Sequence, residues 1–214
     1  MHYPLITGKE THQNKEFGLT HDPFKALISP RPIGWITAMS SIGELNLAPY
    51  SFFNAFSDRP HIVGFSSAGR KDALTFIEET GEFTCSMVSY DLRDAMNATS
   101  APLPRGNSEA DYAGLEMAAS KFVKPPRVAK APAALECKYL QTIPMTSLEG
   151  VTEYYLILGQ VVGIFIDDVY VKNGIVDAAS MELIARGGYD NYYKTDESNK
   201  FAIGRPKGAG GFTG

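Results

Sequence analysis

The sequence predicts a mainly β protein, a small barrel with few helices, and three observations point there. Short runs of period-2 alternation recur along the chain, the mark of strands. The longest apolar strand candidate, Thr152 to Ile166, carries Gly159 and Gly163, whose missing side chains permit the bending that a closing sheet requires. Helix-period patterns are confined to two short stretches, after Asp72 and after Asp91.

In chain order, Met1 to His12 mixes Tyr3, Pro4, Lys9, Glu10 and His12 without an apolar run of signal-peptide length, and no later stretch approaches a membrane span. A cytoplasmic protein is the expectation. Ile33, Trp35, Thr37 and Met39 alternate against Gly34, Ile36 and Ala38, a half-buried strand. Ser40 to Glu44 contains Gly43, a hairpin-length connection, and a return strand starts at Leu45. His61 to Ser67 and Glu82 to Ser89 read as further strands, and Leu135, Cys137 and Tyr139 repeat the pattern. Asp72 is placed to cap a helix with Ala73, Phe76 and Ile77 on one face and Gly81 as its left-handed stop. Leu92, Ala95 and Met96 form a second helix face. Ala101 to Asn107 and Lys124 to Pro132, each rich in proline, are loops within one domain. Asn173-Gly174 predicts a tight hairpin between Val169 to Val171 and Ile175-Val176. Gly204 to Gly214, with five glycines, reads as a mobile tail or an arm on a partner subunit.

The 214 residues fit one large domain; 44% hydrophobic and 21% charged residues argue against disorder and coiled coil. Twenty basic against 24 acidic residues give a net charge of −4, so no whole-chain field attracts nucleic acid or an anionic membrane. Cys85 and Cys137 lack metal spacing and sit in apolar strand patterns, which predicts buried, reduced thiols. His2, His12, His21 and His61 form no recognisable zinc motif. Gly208-Ala209-Gly210-Gly211 lacks the third glycine and the helix of a dinucleotide loop, and Gly64 to Gly69 misses the context of a nucleophile elbow.

Two segments carry more. Ser66, Ser67, Ala68, Gly69, Arg70, Lys71 and Asp72 leave a strand and enter a helix. Hydroxyls, backbone amides, a planar guanidinium and a helix N-terminus together suit a phosphate. Asp72 as the cap would compete for the same amides; a capped helix with solvated Arg70 and Lys71 is the alternative. Asn46-Leu47-Ala48-Pro49-Tyr50-Ser51-Phe52-Phe53-Asn54 is strand-like but interrupted by a proline, which removes a ladder donor and leaves neighbouring backbone groups free to read the polar edge of a flat heterocycle. An edge strand with core aromatics is the plainer reading.

Taken in order, Ser29-Pro30-Arg31-Pro32-Ile33-Gly34-Trp35-Ile36-Thr37, Asn46 to Asn54, Pro60, Gly69-Arg70-Lys71-Asp72 and Thr80-Gly81-Glu82-Phe83 resemble the flavin reductase-like family of FMN-binding split-barrel proteins. Ala113-Gly114-Leu115, Pro125-Pro126-Arg127-Val128, Leu135-Glu136-Cys137 and Arg186-Gly187-Gly188 agree with it. The resemblance covers residues 25–195, leaving an N-terminal extension, 1–24, and a flexible C-terminal tail, 196–214. It implies a Greek-key β-barrel with peripheral helices, a homodimer and FMN held near the dimer interface. Asn46, Leu47, Ala48, Ser51, Phe53 and Asn54 would lie along the isoalloxazine ring, and Ser66, Ser67, Arg70, Lys71 and Asp72 around the phosphate. The Ala101 to Arg105 loop would lie near the flavin. At Ala73 many relatives carry a threonine that adds a hydroxyl to the phosphate site.

The activity implied is NAD(P)H-dependent flavin reduction, hydride passing from NADH or NADPH to flavin N5, with no dedicated catalytic acid or base and no metal. Reduced flavin would supply a monooxygenase. The rival is a flavoredoxin-like FMN electron carrier that serves a redox protein without NAD(P)H; a weaker one is another planar ligand, haem or a pyridoxal derivative.

Overall fold

The computed structural model describes residues 18–204 and 206; 1–17, 205 and 207–214, which include the Gly208 to Gly211 string and most of the expected N-terminal extension, lie outside the described residues. The chain runs α1 (Phe24–Leu27), β1 (Arg31–Pro32), β2 (Gly34–Met39), β3 (Leu45–Tyr50), β4 (Phe53–Asp58), β5 (His61–Ala68), α2 (Asp72–Thr80) and β6 (Glu82–Ser86). It continues through α3 (Arg93–Ala98), α4 (Glu109–Tyr112), β7 (Met117–Ala118), β8 (Arg127–Val128), β9 (Ala133–Thr146) and β10 (Thr152–Ile166). The last strands are β11 (Val171–Lys172), β12 (Ile175–Val176), β13 (Ile184–Arg186) and β14 (Tyr192–Lys194).

Seven antiparallel strands form the main sheet in the order β3-β2-β6-β9-β10-β5-β4. Its two edges, β3 and β4, are consecutive in sequence and joined only through Ser51 and Phe52. Two residues reach from one edge of a seven-stranded sheet to the other only if the sheet curls into a barrel. The Ser66 N–H donating to Phe52 O at 2.8 Å ties this crossing to β5. What reads in sequence as one proline-interrupted strand is therefore two strands at opposite edges of a nearly closed sheet.

The β9–β10 ladder shifts register between Leu158 and Gly159 and between Val161 and Gly163. Such bulges bend the long hairpin around the barrel. Both glycines also lie under aromatic rings: a Cβ on Gly159 would come within 2.3 Å of Phe83, and one on Gly163 within 2.2 Å of Phe122.

Two apolar cores flank β2. Ile36, Ala38, Phe65, Phe83, Cys85, Cys137 and Ile157 fill the barrel, with Ala73, Leu74, Phe76 and Ile77 of α2 packed on them. Trp35, Leu47, Val88, Met96, Val128 and Ile184 form the second cluster, on the outer side of β2 and β3. The half-buried reading of β2 is thus corrected, because Gly34 through Ala38 are all buried. Its alternation sorts residues between two cores. Trp35 Nε1 donates to the buried Thr99 Oγ1 at 2.9 Å, which satisfies the indole inside the outer cluster. Cys85 and Cys137 are free and buried, and burial raises both thiol pKa values.

Other boundaries differ. The strand expected over Glu82 to Ser89 ends at Ser86, Ser89 keeping a single bridge to Leu183. Asp168–Tyr170 is a 3₁₀ turn rather than strand, capped by the Asp167 side chain on the Val169 N–H. The Asn173-Gly174 hairpin forms as its residues predict, with φ of 53° and 76°. Within the expected tail, Glu197–Asn199 is a 3₁₀ turn with an Asp196 capping box. No helix among the described residues is long and apolar enough to cross a membrane.

Candidate functional site

Edge strand β3 and the N-terminus of α2 meet at a cleft of about 460 Å³, a size typical of small-molecule sites. Asn46, Ala48, Pro49 and Tyr50 form one side, Lys71 and Asp72 one end, and Thr99 to Leu103 the opposite wall, with Glu109 also lining it. Alternate residues of β3 share a face, which is why Asn46, Ala48 and Tyr50 line up. Tyr50 also lines the cleft, its ring tilted at 48° against Phe65 with centroids 4.5 Å apart. Burial pushes its phenol up to about 12 despite a hydrogen bond with Ser67, so it stays neutral.

The α2 end differs from expectation in a way that matters. Asp72 is not the cap. Lys71, extended at φ −83° and ψ 173°, holds that position with no side-chain cap, and Asp72 is the first helical residue. Its carboxylate pairs with Arg105 at 2.9 Å. The first-turn amides of α2, which no intrahelical carbonyl can serve, therefore receive no capping side chain among the described residues. Arg105 also lies over the Phe76 ring at 5.4 Å and so clips the proline-rich wall to α2. Because both partners of this ion pair are substantially exposed, it contributes little to global stability. Arg105→Ala is expected to leave the melting temperature within a few degrees of the parent while residues 101–107 exchange amide hydrogens faster. Mass-spectrometric exchange measures this, and unchanged protection there would refute the clip.

Glu109 carries no sequence signal of its own kind, and sequence reasoning does not reach it. It starts α4, which Ser108 caps through the Asp111 N–H, and is 8% exposed. Its Oε1 accepts from Asn46 Nδ2 and its Oε2 from Leu47 N, both at 3.0 Å. The edge amide left over at Leu47 is thus consumed by a carboxylate, and Pro49, two residues on, has none to offer. Asn46 Oδ1 is buried and accepts nothing among the described residues.

Of the predicted residues, Asn46, Ala48, Lys71 and Asp72 come together in this cleft. Leu47 is fully buried in the outer core. Ser51 opens onto an adjoining cleft of about 140 Å³ with Pro49, Arg186 and Tyr192. Phe53 is buried against Gly34, and Asn54 is exposed on β4, its Oδ1 accepting from the Ala55 N–H. Ser66 and Ser67 lie inside β5, as the strand reading of His61 to Ser67 has them, so their side chains point to opposite faces. Ser67 is fully buried and donates to Gly69 O at 3.0 Å; Ser66 lines a separate apolar groove with Phe24, Phe52 and Tyr154. Arg70 pairs with Glu78 and lies 5.4 Å over the Tyr155 ring, outside the cleft lining. Ala73 is 1% exposed and packs in the barrel core, so its side chain faces away from the first-turn amides.

Residues 27–179 match the family model for the flavin reductase like domain. An uncharacterized protein of Deinococcus radiodurans is 38% identical over 193 residues, covering 84% of this chain and 82% of its own. Component B of nitrilotriacetate monooxygenase from Bacillus cereus superposes with a TM-score of 0.82 at 28% identity, over 95% of this chain and 99% of that one. A Shewanella frigidimarina protein described as a flavin reductase with a split barrel domain gives a TM-score of 0.78 at 20% identity, over 95% and 100%. At that identity the likeness speaks to the fold.

Proposed function

Because the chain belongs to the flavin reductase-like family and has its split-barrel fold, we propose that the cleft between β3 and α2 binds FMN and that the protein reduces flavin with NADH or NADPH. The observation that carries this reading is the uncapped first turn of α2, with Lys71 at its cap, facing the same cleft as the unsatisfied amide oxygen of Asn46. A phosphate fits the first, since first-turn amides without a capping side chain, a lysine and the helix dipole all favour an anion. A flat polar heterocycle fits the second.

In this reading Asn46, Ala48 and Pro49 bound the ring, and Lys71 with the amides of Ala73 and Leu74 holds the phosphate. Arg70, held by Glu78, and Ser66, on the outer face, would reach the ligand only after rearranging; Ser67 supports the site through Tyr50 and Gly69. FMN, once bound, supplies the hydride-accepting chemistry. The residues of this chain position the ring, exclude water from its face through the Thr99 to Leu103 wall, and fix the phosphate. The homodimer that the family implies, and delivery of reduced flavin to a monooxygenase, belong to the same proposal; the component B neighbour supports the latter.

The test is anaerobic. Protein reconstituted with FMN and freed of excess flavin is expected to lose its visible flavin absorbance on addition of NADH or NADPH. A retained flavin that stays oxidised with both would overturn the reductase and favour the electron carrier. No flavin binding at all would overturn the site.

A further inference from the structure

Resting on the FMN reading, we propose that Glu109 is a positioning residue that sets which end of the Asn46 amide is presented to the ligand. Glu109 is more than nine-tenths buried, and both of its oxygens accept N–H bonds from β3, one from Asn46 Nδ2 and one from Leu47 N. No ion pair to Glu109 occurs among the described residues. A carboxylate has only acceptors to offer, so it admits only the NH₂ end of Asn46 and leaves Oδ1 as the free end. That oxygen has no donor among the described residues, while Asn46 lines the cleft. A buried acceptor left unpaired is costly, and a ligand N–H removes the cost. Oxidised flavin offers one ring N–H, the imide at N3. Glu109 thus acts through Asn46 to make the site select a ring that donates there.

Exchange of the two groups tests the polarity directly. In E109Q the introduced glutamine keeps the Leu47 N–H on its oxygen, and its NH₂ then faces Asn46, which must flip and turn its own NH₂ outward. In N46D/E109Q the introduced glutamine donates to one oxygen of the introduced aspartate and the other oxygen is again a free acceptor, with the charge count unchanged. Binding of FMN and of N3-methylated FMN is measured by flavin fluorescence for each protein. The parent is expected to prefer FMN by about tenfold, the scale of one unpaired buried acceptor. E109Q is expected to lose that preference and the double variant to regain it. The ratio cancels general effects on folding, which shift both affinities together. A parent that binds both flavins equally, or an E109Q that keeps the preference, overturns the role of Glu109 while leaving the FMN site standing. A parent that binds neither flavin overturns the FMN reading itself. Should E109Q fail to fold, the double variant carries the test, and loss of preference in it overturns the proposal.

Discussion

Lys71→Asp is expected to make the protein more stable and its FMN affinity about 100-fold weaker, opposite signs from one substitution. Lys71 holds the cap of α2 in extended backbone without giving the helix a side-chain acceptor. Aspartate there bonds the second- or third-position amide, and such a change stabilises by about 0.5–2 kcal/mol. Those same amides, Ala73 and Leu74, are the ones assigned to the phosphate. The variant therefore removes a cation, adds an anion and occupies the donors; the loss of about 2.7 kcal/mol corresponds to the 100-fold figure. Thermal denaturation of the apoprotein and fluorescence titration with FMN measure the two effects separately. Lys71→Ser caps without adding charge and should fall between. Raised stability with unchanged affinity would place the phosphate elsewhere.

Gly159→Ala is expected to cost about 3 kcal/mol, the upper end of overpacking effects. The added methyl would sit 2.3 and 2.4 Å from two ring carbons of Phe83 and 3.3 Å from the Cys137 Cβ. Phe83 is fully buried and packs edge-on against Phe65 at 5.9 Å, so it has no direction in which to yield. Phe83→Leu shortens the ring to a branched chain, and in the double variant F83L/G159A the penalty of the added methyl should shrink by at least about 1 kcal/mol, a coupling expected only for residues in contact. Urea denaturation of the four proteins closes the cycle. Additive effects would show that Gly159 is needed for its bulge alone.

These two sites also mark what the residues alone reveal. Local punctuation is legible: Gly81 ends α2 in the left-handed region at φ 74°, Asn173-Gly174 makes its hairpin, and β10 spans Thr152–Ile166 as its apolar run suggests. These are decided by backbone preferences of one or two residues. The crossing at Ser51-Phe52 is not legible, because a proline-interrupted strand and two strands at opposite barrel edges have the same local pattern. Strand β2 shows period 2 whether one face is buried or both. At the site, Lys71 and Asp72 stand next to a helix start in any reading, but which of them is the cap is settled by Arg105, which draws the Asp72 carboxylate away from a loop beyond α3. Glu109 is out of reach for the same reason: its partners Asn46 and Leu47 lie 63 and 62 residues away along the chain, and nothing local distinguishes a glutamate that buries itself on a strand edge from one that faces water.

Diffraction from crystals grown with FMN shows whether the cleft between β3 and α2 holds the flavin. The ring is expected against Asn46 and Ala48 beneath the Thr99 to Leu103 wall, with phosphate oxygens within about 3.2 Å, an ordinary hydrogen-bond reach, of Lys71 Nζ and the amides of Ala73 and Leu74. Flavin bound with its phosphate on Arg70 and Ser66, away from the first turn of α2, would contradict it.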